Sequence, residues 1–288
     1  MLKRTLTLLI LVTTLIGCAA NPVTGRQQFL LVSEKESISA SSEAYGKMLD
    51  PLAEEGKIDN DPEVAKRIHE ITAKLIAQAV KFRPETESWD WRVRVIDDPE
   101  LINAWCMAGG KMAIYTGLIE KLDATDDELA QVMGHEISHA LLAHTAERMS
   151  VAIATNLAVA TYAITQDADA LALTGVTLAA ALAITLPNSR ESESEADVVG
   201  IELAARAGYD PHAAVTLWQK MAKASGNNSD FDFLSTHPAP NKRMEKLRSL
   251  IPVMMPYYEA KGERPVYPLI IDPVPEKKAE AEESAATE

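Results

Sequence analysis

The stretch Thr125-Asp126-Asp127-Glu128-Leu129-Ala130-Gln131-Val132-Met133-Gly134-His135-Glu136-Ile137-Ser138-His139 decides how the rest of the chain is read. Its first four residues form a capping box, in which Thr and Glu satisfy exposed amides of a helix's first turn. The helix launched there is expected to run to about Met149. His135 and His139 then lie about 40° apart around the axis, so both rings project from one face. Two neutral imidazoles so placed can grip one zinc ion. Glu136 stands beside them, where a carboxylate can activate a water and shuttle its proton. Val132, Met133, Ile137 and Leu141 flank the pair, so the helix is expected to be buried, and buried histidines beside a glutamate need a partner. On a regular helix His144 lies about 140° round from His139, so it is expected to take a structural or supporting place outside the ligand set.

A zinc hydrolase wants a third protein ligand and one position left open. The dense carboxylate run downstream is Ser189-Arg190-Glu191-Ser192-Glu193-Ser194-Glu195-Ala196-Asp197. On a helix Glu193 and Asp197 share one face, and Glu191 and Glu195 share nearly the opposite one. Spacing alone does not choose between the two pairs.

Working outward, helices are expected from about Glu34 to Met48 with Ser33 as cap, and from Asp61 to Val80 with Pro62 in the first turn. Trp91 to Ile96 and Lys111 to Tyr115 read as strands, with Gly109-Gly110 between them as a tight turn. Apolar stretches at about 151–165 and 170–186 are short for a bilayer span and are expected to pack as a helical hairpin on the core. Further helices are expected at 190–207, from Asp210-Pro211 to Ala224, and at 241–250. The fold class is therefore mainly α with a small β-sheet (α+β), and its His-Glu-x-x-His helix resembles that of a zincin-like metalloprotease catalytic domain.

The 288 residues carry a formal net charge of −14, which argues against nucleic acid as a partner. Lys3-Arg4, the apolar run Leu6 to Ile16 and then Leu15-Ile16-Gly17-Cys18 resemble a bacterial lipoprotein signal. The expected organisation is a signal peptide at 1–17, a lipid-anchored linker at 18–33 with lipid on Cys18, a catalytic domain at 34–255 and a C-terminal extension at 256–288. From about residue 273 that extension is Pro-, Ala- and Glu-rich and expected to be disordered. By resemblance to lipoprotein sorting signals, Ala19 rather than Asp after the Cys implies the outer membrane, facing the periplasm. Cys106 is then left unpaired, as a buried inert thiol.

Taken together, His135-Glu136-x-x-His139, Glu193-x-x-x-Asp197, Ser235-Thr236-His237-Pro238 and Arg243 resemble the HtpX and CAAX-prenyl-protease-like family of gluzincin zinc metalloproteases. Asn103-Ala104, Gly109-Gly110 and Gly117-Leu118 add to the likeness, which spans roughly residues 30–255. In pattern it lies nearest the periplasmic lipoprotein branch typified by LoiP and the BepA catalytic domain, and the mitochondrial quality-control proteases. Met107-Ala108 departs from the Leu-Pro that many relatives carry there. The resemblance implies one Zn2+ per chain on His135, His139 and Glu193, with Asp197 orienting a ligating imidazole. It further implies Glu136 as general base and His237 with Arg243 at the oxyanion. Lys111, Met112, Ala113 and Ile114 would form an edge strand that pairs with extended substrate. The implied function is endoproteolysis of misfolded or unassembled envelope proteins. The rivals are a zinc-binding lipoprotein chaperone for outer-membrane assembly and a latent protease whose metal is capped by a side chain of its own.

Overall fold

The computed structural model describes residues 18–165, 188–225, 232–237 and 240–269. The expected signal peptide, the second apolar stretch and the acidic tail lie outside them. Two short antiparallel strands, β1 (Cys18–Ala20) and β2 (Gln27–Phe29), open the described chain. Helices α1 (Glu34–Glu54) and α2 (Pro62–Phe82) follow. Ser33 and Glu36 close a capping box on α1, and the Asp61 side chain accepts from the amides of Glu63 and Val64 on α2. Helix α1 outruns the expected end at Met48 because Pro51 sits in its last turn rather than stopping it. Along α2 the stripe of Ile68, Ile71, Leu75 and Ile76 is buried in the main core.

Strands β3 (Arg92–Ile96), β4 (Ala104–Met107) and β5 (Lys111–Tyr115) form one sheet in the order β3-β5-β4. β3 runs parallel to β5, and β4 antiparallel to it. Gly109 and Gly110, both at φ 78°, make the turn that folds β4 back onto β5. A Cβ on Gly110 would run into the Trp91 ring. The expectation that Lys111, Met112, Ala113 and Ile114 form a substrate-binding edge is therefore corrected. β5 is the central strand, and its backbone groups are taken up by β3 on one side and β4 on the other. β4 was not anticipated from the sequence, since Ala104-Trp105-Cys106-Met107 is buried throughout and lacks the alternation of a one-sided strand. The segment 18–33, expected as a linker, is instead laid on the body, with Asn21, Gln28 and Val32 buried.

After α3 (Thr116–Lys121) comes the helix that carries the histidine pair, α4 (Asp126–Leu141). The Thr125 capping box forms as expected. The expected run to Met149 does not: Ala143 turns into the left-handed region at φ 53°, and a new helix, α5 (His144–Thr165), starts beyond it. Side chains from elsewhere hold the broken end. Asn21 and Gln28 donate to the Leu142 carbonyl at 2.8 and 3.0 Å, and Arg83 donates to that of Leu141 at 2.8 Å.

The chain continues with α6 (Arg190–Ala207), α7 (Ala213–Ser225), α8 (Asp232–Thr236) and α9 (Pro240–Tyr258). Ser189 caps α6, and Gly208 ends it in the left-handed region at φ 94°. Helix α9 passes the expected end at Leu250 and contains Pro252 and Pro256. No described helix is long and apolar enough to cross a membrane. Helix α6 packs directly on α4, and the approach is close because both helices carry a glycine at the contact. A Cβ on Gly200 would stand 2.8 Å from the His135 backbone nitrogen, and one on Gly134 would stand 2.9 Å from the Gly200 carbonyl oxygen.

Neither backbone can give way without moving its helix, so Gly200→Ala is expected to destabilise the fold by about 1–3 kcal/mol. Thermal or urea melting will show it, and a wild-type melt would deny the contact its importance. A second prediction concerns the cap of α4. Burial raises the Glu128 carboxyl, but hydrogen bonds from Lys220, Thr125 and Thr216 outweigh it and hold the group below its ordinary 4.5. A carboxylate depressed in the fold adds stability above its unfolded value and loses it as pH falls through its folded value. Glu128→Gln should thus lower stability at pH 7, on the order of 1 kcal/mol. The gap from wild type should close in melts taken at successively lower pH below 4.5.

Candidate metal centre

The contact between α4 and α6 decides which carboxylates meet the histidines. Asp197, one turn before Gly200, brings Oδ1 to 3.2 Å from His135 Nδ1. Glu193, one turn earlier again, brings Oε1 to 3.3 Å from His139 Nε2 and Oε2 to 3.5 Å from His135 Nε2. Of the two faces left open by spacing, this is the one turned to the histidines; Glu191 is exposed. From the segment after α8, His237 places Nδ1 at 2.9 Å from Glu193 Oε1 and 3.3 Å from His135 Nε2. Its ring stacks on Phe233, with centroids 4.3 Å apart. His135, His139, Glu193 and His237 are all buried, and one ligand atom from each lies within 4.8 Å of the others.

These donors fit a cation on chemical grounds. His135 turns Nδ1 to Asp197 and Nε2 to the other donors. Burial and the charge of Arg243 would lower its pKa, but Asp197 and Glu193 outweigh them and push it up to about 9. An ion at Nε2 would therefore displace a proton. His139 Nδ1 faces His144 Nδ1 at 2.8 Å, and His139 Nε2 is turned inward. The two Nε2 atoms stand only 3.1 Å apart beside a carboxylate. Two lone pairs held face to face repel unless a positive charge lies between them. Imidazole nitrogen with carboxylate oxygen is the donor set zinc prefers. Burial holds the His139 pKa well below its ordinary value, so the ring is neutral and ready to ligate. Burial would raise the Glu193 carboxyl, but the charges of His237 and Arg243 outweigh it and hold it well below the usual range.

Glu136 is buried next to this group, its Oε1 without a hydrogen bond and 3.4 Å from His237 Nε2. Burial pushes its carboxyl pKa up. Its side chain lines a cavity of about 20 Å³, shared with β4, His139, Asn188 and His237. That is room for a single water. Among the described residues no strand pairs with the outer side of β4, so β4 is the free edge nearest Glu136. Cys106, in the same wall, is a free buried thiol, as read from the sequence.

The two residues expected at the oxyanion are engaged with other side chains of the site. Arg243 is held by the carboxylates of α6. Its Nε and Nη2 bond Asp197 at 2.8 and 2.6 Å, its Nη1 lies 2.5 Å from Glu193 Oε2, and its guanidinium covers the Trp218 ring. His237 likewise has its Nδ1 among the ligand atoms. His144, read as a supporting residue outside the ligand set, stands beside His139 Nδ1, and the break at Ala143 is what brings it there.

Residues 62–251 match the model of Peptidase family M48. The chain is 30% identical over 249 residues to the mitochondrial metalloendopeptidase OMA1 of Saccharomyces cerevisiae, covering 83% of this chain and 70% of that protein. It is 29% identical over 211 residues to the beta-barrel assembly-enhancing protease of Yersinia pestis, covering 70% of this chain and 42% of that one. It is 27% identical over 256 residues to metalloprotease YcaL of Escherichia coli, covering 82% and 95%. The chain spans about half the length or less of several curated relatives it matches, for instance 46% of the OMA1 of Bos taurus and 45% of that of Homo sapiens. These matches overturn the expectation of a bacterial outer-membrane lipoprotein facing the periplasm. Relatives at 30–31% identity over most of this chain are named mitochondrial, and the two bacterial ones are lower.

If the four buried donors hold one ion, the full chain should purify with about one zinc per molecule. Stripping it with a chelator should lower the melting temperature, because a ligand that binds only the folded state stabilises that state. Metal analysis and melting with and without chelator check this. A melt indifferent to the chelator would speak against the site.

Proposed function

The chain belongs to peptidase family M48, and from that premise we propose that it is a zinc-dependent endopeptidase. His135, His139 and Glu193 would hold the ion, with Asp197 orienting His135. When bound, zinc supplies a Lewis acid that polarises the scissile carbonyl. The observation that carries the reading is Glu136, a buried carboxylate whose Oε1 has no hydrogen-bond partner beside a cavity the size of one water. A structural metal site has no use for such a group. Glu136 takes a proton from the attacking water and returns it to the leaving amine, and its raised pKa suits both halves of the transfer. The free edge of β4, not β5, would pair with an extended substrate. Recognition of that kind reads backbone more than side chains and suits unfolded polypeptide.

Within the family, the joint motifs favour a domain of the HtpX and CAAX-prenyl-protease type. Misfolded or unassembled envelope proteins are the substrates we favour, by analogy with the relative named as a beta-barrel assembly-enhancing protease. A second reading is favoured by a specific observation. His237 Nδ1 occupies the place of a fourth ligand, where a working hydrolase needs room for water. We read the described conformation as a closed, resting state of the enzyme, capped by its own side chain. This reading is preferred to the oxyanion role expected of His237 and to the chaperone alternative.

Casein cleavage by the zinc-loaded chain tests both readings. Glu136→Gln should lower turnover about 10²–10⁴-fold with zinc content unchanged. Measurable wild-type cleavage left unchanged by Glu136→Gln would refute the catalytic assignment. His237→Ala should raise cleavage if the ring is a cap and lower it if the ring steadies the oxyanion.

A further inference from the structure

The hairpin β1–β2 lies outside the residues that the family model matches, yet its side chains converge on the carboxylates that stand behind one ligand, His139. His135 is oriented by Asp197 and Glu193 is paired with Arg243, both within the matched region. His139 is oriented by His144, whose Nε2 lies 3.0 Å from Glu195 Oε2. The same carboxylate accepts from Thr24 Oγ1 at 2.5 Å and from Arg26 Nε at 2.9 Å. Arg26 also makes a two-pronged pair with Glu147 at 2.9 and 2.6 Å, and Gln28 donates to Glu147 at 2.9 Å. Asn21 and Gln28 meanwhile hold the Leu142 carbonyl at the break that turns His144 inward.

The hydrogen-bond roles in this chain of contacts are forced. An ionised carboxylate only accepts, so the His144 proton lies on Nε2. His144 Nδ1 is then a lone pair and can face His139 at 2.8 Å only if His139 carries its proton on Nδ1. That leaves the lone pair of His139 on Nε2, turned toward His135 and Glu193. The opposite tautomer would place an N–H where the metal must bind.

We propose that the N-terminal hairpin is a working part of the metal centre: Thr24 and Arg26 fix Glu195, Glu195 fixes His144, and His144 sets His139 in the metal-binding tautomer. Arg26, Glu195 and His144 are positioning residues, since none belongs to the group of donors that could hold the ion. Metal affinity thereby depends on whether the hairpin is docked. The proposal rests on the reading of His135, His139 and Glu193 as ligands.

The test measures zinc affinity of the full chain by competition with a chromophoric chelator, together with the visible spectrum of the cobalt-substituted protein. His144→Leu should weaken zinc about 10–100-fold and shift the cobalt bands. His144→Asn keeps an acceptor where Nδ1 stood and should recover much of the loss, which a merely space-filling histidine would not predict. Arg26→Met, far from the ion, should weaken zinc in the same direction by a smaller factor. Variants that melt cooperatively with wild-type affinity and spectrum overturn the proposal. Should His144→Leu fail to fold, unchanged zinc affinity in Arg26→Met overturns it alone. His139→Ala separates the two ideas. If it retains zinc at wild-type affinity, the ligand reading falls and this proposal with it. If it loses zinc while the relay variants do not, only the relay falls.

Discussion

Two helices touching backbone to backbone set everything else in this molecule. At Gly134 and Gly200, α4 and α6 approach until no Cβ fits between them. From that fixed point, geometry does the rest. Each turn of helix climbs about 5.4 Å, so Asp197 arrives beside the far nitrogen of His135 and Glu193 beside the near nitrogens of both histidines. A wider crossing would leave the same residues on the same helices with no site between them. The small sheet, the capped break after Leu142 and the packing of α2 all serve to keep α4 buried and immobile against its partner.

The cluster so assembled is expensive in solvation. Asp197, Glu193, Glu136, Arg243 and four histidines lie within a buried region where an unpaired charge would cost several kcal/mol. Arg243 answers the two carboxylates of α6 at once, and its flat face is covered by Trp218. Apolar residues of similar volume would make a more stable core. Their absence marks a place where the sequence departs from what folding alone would select, and such departures are expected at functional sites.

Much of this was legible in the sequence, for local reasons. Caps announce helix starts, and Ser33, Asp61, Thr125 and Ser189 stand where the structure uses them. The histidine pair and Glu136 needed only the period of a helix. What the sequence hid was tertiary. Ala143 in the left-handed region carries no signature, because alanine is an ordinary helix former and the break is imposed by Asn21 and Gln28 from more than a hundred residues away. The choice between the two acidic faces of α6 proved to be no choice. Glu193 and Asp197 face the histidines directly, while Glu195 reaches His139 through His144. β5 was mistaken for an edge because strand order is a property of the assembled sheet. The lipoprotein-like leader motif misled on location, because a short apolar segment before a cysteine says little about the protein that follows it.

Helix α1 has a further consequence. It lies outside residues 62–251, yet its Glu34 takes both arms of the Arg83 guanidinium, whose Nη1 also holds the Leu141 carbonyl. Its Tyr45 donates to the Met112 carbonyl and stands edge-on to Trp105, at the heart of a second apolar cluster. The span that the family model covers is therefore shorter than the span that must fold together. The flank before residue 62 braces the metal-bearing helix without supplying a ligand, so stability and metal retention can be retuned there without touching the chemistry.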